Sequence, residues 1–136
     1  MALSVSSVRS GLATRLATIS GLMTYARAPG QIQPPAAIVI PGKPLGEYNE
    51  ASGGLALLNL RVILLVQRAD DEQAQTSLDA YLDPTGTSSV KAAIEADGTL
   101  GGSAHYAWVS RVDDYGSIEW AGVEYLGATF DVEVQG

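Results

Sequence analysis

Val5, Val8, Leu12, Leu16 and Ile19 recur at spacings of three and four. This pattern predicts an amphipathic helix over residues 3–19 with a single apolar stripe. Ser4, Ser6 or Ser7 supplies its N-cap and Gly21 its stop. Gly11 inside the run weakens the helix, so packing must hold it in place. Residues 22–26 then read as a short strand, and the Pro/Gly-rich run at 29–35 excludes regular structure.

Residues 36–40 read as a buried strand ended by Pro41 and Gly42, followed by a long Gly/Pro loop over residues 43–54. The clearest strand is 55–67. Ala56, Leu58, Leu60, Val62, Leu64 and Val66 alternate onto one face. Leu55, Leu57, Asn59, Arg61, Ile63, Leu65 and Gln67 share the other face, which is half apolar and predicts a cover on both sides, by a helix or a neighbouring subunit.

Asp70 caps a predicted helix reaching Leu82, with Ala74, Leu78, Tyr81 and Leu82 inward and Asp71 and Glu72 suiting its dipole. Ser88 or Ser89 caps a second, short helix over 90–96, in which Lys91 and Glu95 pair at i,i+4. The last third alternates as strand. Residues 104–112 lead to an expected turn at 113–116, and 117–120 and 123–134 flank a turn at Ala121 and Gly122. On the final strand Leu126, Ala128, Phe130, Val132 and Val134 face one way, and Tyr125, Thr129, Asp131 and Glu133 the other. The order describes one α+β domain over residues 1–136, a mostly antiparallel β-sheet packed with an N-terminal helix and a central helix pair.

Composition narrows the function. The chain has no Cys and one His, so it holds no disulfide, no thiolate metal site and no site needing two imidazoles. Fifteen Asp and Glu against eight Lys and Arg give a net charge of −7, which argues against a dedicated nucleic-acid binder. A charged fraction of only 17% leaves bare surface, the first sign of partners. No continuous apolar run is long enough to span a bilayer or to serve as a secretory signal, which predicts synthesis in a cytoplasm and no membrane partner.

No motif carries catalysis. His105 has no marked carboxylate or nucleophile beside it and reads as a plain strand-face residue. Asp70, Asp71 and Glu72 read as a helix start, and Asp113 and Asp114 as a hairpin turn, rather than as cation ligands. The Gly pairs at 53–54 and 101–102 lack the Lys and hydroxyl of a phosphate loop. The expectation is therefore no enzyme, cofactor or metal.

Several segments in order resemble the tail terminator proteins of long-tailed bacteriophages, especially those of actinobacteria. They are Ala17-Thr18-Ile19-Ser20-Gly21-Leu22 after the opening helix, Pro34-Pro35-Ala36-Ala37-Ile38-Val39-Ile40-Pro41, and Asp79-Ala80-Tyr81-Leu82. Ser88-Ser89-Val90-Lys91-Ala92-Ala93-Ile94-Glu95-Ala96-Asp97 and Gly122-Val123-Glu124-Tyr125-Leu126-Gly127-Ala128 complete the set. The resemblance implies a homohexameric ring at the head-proximal end of the tail, assembled in the host cytoplasm. It would cap the major tail tube protein, stop its polymerisation and dock the head-completion or connector protein. Two alternatives stay open: a neck or head-completion protein of the same connector region, and a small-ligand or enzymatic α+β domain.

Within such a ring the expected tube-contact loop carries Lys43, Glu47, Tyr48 and Glu50. The expected ring interface is the half-apolar strand face of Leu57, Asn59, Arg61 and Ile63. Asp131 and Glu133 are the expected lumen-facing pair. Six copies at −7 each would carry −42, a charge that lets DNA pass without specific binding.

Overall fold

The structure is a computed structural model that describes residues 3–48, 55–68 and 74–136. Helix α1 spans Val5–Leu16, and Ser4 caps it by accepting from the Ser7 N–H at 3.4 Å. Its stripe of Val8, Leu12 and Leu16 is fully buried, with Leu3 and Ile19 at its ends. Gly11 is a contact point as well as a weak helix former. A Cβ there would come within 2.9 Å of both the Cβ and the carbonyl oxygen of Leu100, so the helix lies against the turn at Leu100–Gly102.

Strands β1 (Met23–Tyr25), β2 (Ala36–Tyr48), β3 (Leu55–Arg68), β4 (Tyr106–Trp120) and β5 (Val123–Gln135) form one sheet in the order β1-β2-β3-β5-β4. β1 runs parallel to β2, and every other pairing is antiparallel. The fold is thus α+β with a mostly antiparallel sheet, as the alternation implies. α2 (Ala74–Leu82) and α3 (Val90–Glu95) join α1 on one face of the sheet. Ser89 is the cap of α3: its hydroxyl accepts from the Ala92 N–H at 3.0 Å and donates to the Asp83 carbonyl. Among the described residues, no helix is long and apolar enough to cross a membrane.

The main core joins the helices to Ala37, Val39, Leu58, Leu60, Val62, Leu64, Ala128, Phe130, Val132 and Val134. Burying these side chains is the dominant stabilising term. At Gly127 the sheet is so close that a Cβ would overlap the Leu64 carbonyl oxygen, which fixes glycine there. A smaller cluster of Ile38, Leu65 and Tyr125 lies on the opposite face, ringed by Tyr25, Ile32, Ile63, Ile118 and Trp120. Residues 26–35 strap across this end, and the Trp120 indole N–H donates to the Pro29 carbonyl at 3.2 Å. The second cover at that end is therefore an irregular segment of the chain itself, and not the expected helix or neighbouring subunit.

Two boundaries differ from expectation. β2 does not stop at Pro41 but continues to Tyr48, with an irregularity in its pairing between Pro41 and Gly46. Beyond Ile38 it has no outer neighbour among the described residues, and an edge strand tolerates proline because an outward N–H need not pair. The expected turn at 113–116 is instead a bulge inside a continuous β4, where Asp114 takes φ 56° and the pairing with β5 shifts. The turn at Ala121 and Gly122 is as expected, with both residues at positive φ in the manner of a two-residue hairpin.

Candidate functional site: the open sheet face

Strand register decides which polar residues meet on the face away from the helices. Arg61 on β3 lies directly opposite Asp131 on β5, and Asp131 opposite Arg111 on β4. One step along, Asn59 faces Glu133, which faces Trp108. The Arg61 Nε donates to Asp131 Oδ1 at 3.1 Å, and its Nη2 reaches Asp114 Oδ2 at 3.2 Å and the Thr129 hydroxyl at 3.0 Å. Thr129 in turn donates to Asp114 Oδ2 at 2.9 Å. Arg111 pairs with the second oxygen of Asp131, and this contact raises the guanidinium above its already high pKa.

These side chains surround a shallow concavity of about 740 Å³ between β2 and β4, lined by Ile40, Asn59, Arg61, Arg111, Asp131 and Glu133. Gly42 forms its rim and sits so near Asn59 that a Cβ would come 2.8 Å from the Asn59 carbonyl oxygen. Tyr106 and Trp108 lean together at the outer edge, with ring centroids 5.6 Å apart.

The expected sites are redistributed. Lys43, Glu47 and Tyr48 belong to β2 and not to a loop, and Glu50 lies outside the described residues. Leu57, Asn59, Arg61 and Ile63 share one face with Asp131 and Glu133, so the residues expected at the ring interface and in the lumen form a single surface. Arg61 already makes three side-chain hydrogen bonds within its own chain, and Asp131 is paired from two sides. Glu133 makes no ion pair among the described residues. Ile63 packs into the cluster under the strap. Arg111, and the link of Asp114 and Thr129 to Arg61, escaped sequence reasoning because only the pairing of β5 between β3 and β4 brings these residues together.

On this face the carboxylates of Asp114 and Asp131 are held by guanidinium groups. Among the described residues no group of three His, Asp or Glu is placed to hold a metal ion. His105 is exposed and lies just before β4, not on a strand face as expected, and its backbone N–H donates to the Gln135 carbonyl. The cluster Asp70, Asp71 and Glu72 lies outside the described residues. No protein-family model matches the chain, and no curated protein is detectably similar to it.

Proposed function

We propose that this chain is a structural subunit of a long-tailed phage: a ring, normally of six copies, that caps the head-proximal end of the tail tube. It ends tube polymerisation and offers the surface to which the head connector docks. The observation that carries this reading is a sheet covered by helices on one face only, with the other face polar and charge-paired beyond the apolar cluster under the strap. That architecture suits a ring whose helices point outward and whose sheets line a conduit. The ion pairs of Arg61, Asp131 and Arg111 keep such a wall from gripping phosphate, while Glu133 and the overall acidity repel it. A cap also needs two unlike ends, so that contact with the tube is heterologous and growth stops. The face meets that need, because the strap closes one end and leaves the other open.

Tube-polymerisation assays test the reading. Purified tail tube protein assembled with this chain should give shorter tubes, each decorated at one end. Unchanged length and undecorated ends would reject the terminator role. Binding to connector complexes with no effect on tubes would instead identify a neck protein.

A further inference from the structure

The strap that joins β1 to β2 turns every third side chain toward the sheet. Pro29, Ile32 and Pro35 are half-buried, while Gly30, Gln31, Gln33 and Pro34 between them are exposed. A period of three is the repeat of an extended proline-rich ligand, not of a helix or a strand. Among the described residues, the backbone of residues 27–34 makes one hydrogen bond, in which the Pro29 carbonyl accepts from the Trp120 indole N–H. The Pro35 carbonyl accepts from the Met23 N–H at 2.9 Å where the strap rejoins the sheet.

The floor beneath the strap is apolar and uncharged. Ile38, Leu65 and Tyr125 are buried there, and Tyr25, Ile118 and Trp120 pack around them. Each of the five strands contributes a residue, and the ladders that hold those strands run without the strap. The floor is thus built independently of its cover. Proline-containing peptides dock on aromatic-lined grooves of this kind. An indole N–H at the rim gives such a peptide its polar anchor.

We propose that this end of the sheet is a recognition groove for an uncharged, proline-containing segment of another protein, and that residues 29–35 occupy it in cis until that segment displaces them. The chain's own strap shows the chemistry that the groove accepts. It offers proline, isoleucine and proline at a spacing of three, no charge, and a carbonyl for Trp120. Its hold is light, since three half-buried side chains and the Trp120 hydrogen bond cover a floor drawn from five strands. Both ends of the strap are fixed in β1 and β2, so it lifts as a loop while the sheet stays paired. A tethered occupant acts at an effective concentration of about 1 mM, so a partner segment succeeds by binding better or by arriving within a larger contact. The groove lies apart from the charge-paired part of the face and stands whether or not the chain caps a tube.

A synthetic peptide of residues 28–36, titrated into the isotope-labelled chain and followed by NMR, tests the groove. The amides of Ile38 and Tyr125 and the Trp120 indole N–H should shift, with half-saturation at about 1 mM peptide for the unaltered chain. Ile32→Ala and, separately, Pro29→Ser loosen the strap. Each should bind the peptide about tenfold more tightly, because more of the groove stands open. Adding Trp120→Phe to either should weaken binding about fivefold through the lost hydrogen bond. Unchanged signals of Leu60 and Val132 confirm that the sheet of each variant is intact. A peptide of the same composition in scrambled order should not bind, and its equal binding would overturn the groove. So would the absence of shifts at about 10 mM peptide, in the unaltered chain or a loosened one, and so would an affinity that neither variant raises. Sedimentation of the loosened variants reads the remaining outcome. Dimers formed in place of peptide binding would give the groove to a second copy's strap and overturn the partner.

Discussion

Arg61 and Asp131 occupy directly opposed positions on β3 and β5 and are joined by a 3.1 Å hydrogen bond on the sheet face that the helices leave bare. The same guanidinium reaches Asp114, so one side chain ties together three strands and fixes the bulge in β4. Arg61→Ala should cost about 1–2 kcal/mol, between the value of an exposed ion pair and that of a charged hydrogen bond. Urea denaturation measures it. A loss below about 0.5 kcal/mol, the range of an ordinary surface substitution, would show that the network contributes nothing to the fold.

Gly11→Ala separates helix propensity from packing. In an exposed helix the change would stabilise by up to about 1 kcal/mol. Here the new methyl meets the Leu100 backbone at 2.9 Å, a group that cannot swing aside. The variant should be destabilised by about 1–3 kcal/mol, as overpacked sites are. A raised melting temperature would mean that α1 and the Leu100 turn separate easily.

Asp97 organises the turn after α3. Its carboxylate accepts from the Thr99 hydroxyl and N–H and from the Gly101 N–H. The Thr99 hydroxyl, first, and the Gly101 amide hold its pKa below the ordinary aspartate value. A lowered folded pKa contributes stability that is fully present above the unfolded value, near pH 4, and is lost as pH falls through the folded one. Asp97→Ala should therefore shrink the difference in urea midpoint between pH 6 and pH 3. An unchanged difference would assign the acid sensitivity to other carboxylates.

Much of this fold is legible from periodicity. The stripe of α1, the alternation of β3 and the turn at Ala121 and Gly122 follow from local rules, and the structure keeps all three. Two borders do not, for one physical reason. Proline and Asp/Gly clusters mark interruptions in hydrogen bonding, and an edge strand or a bulge tolerates the same interruptions as a turn does. Pro41 thus sits inside β2, and Asp114 and Gly116 inside β4. The site was less legible, because strand order is a long-range property. Arg61 and Asp131 are 70 residues apart, and nothing in either segment announces that they pair.

The strap over residues 26–35 provides the last test. Few of its side chains reach the sheet: Ile32 packs beside Ile38, Leu65 and Tyr125, while Arg27, Ala28, Gly30, Gln31, Gln33 and Pro34 are exposed. A segment anchored so lightly should open before the rest of the molecule. Ile32→Ala removes its apolar anchor and should cost about 1–2 kcal/mol, less than a fully buried isoleucine would. Trp120→Phe instead removes the hydrogen bond to the Pro29 carbonyl and should cost about 1 kcal/mol. Hydrogen exchange separates local opening from global loss. In the unaltered chain, amides next to the strap, such as that of Ile38, should open at lower free energy and with weaker urea dependence than those of Leu60 and Val132 in the main core. Equal opening free energy and urea dependence at all three would show that the strap and the sheet unfold as one unit, with no separate opening at this end of the face.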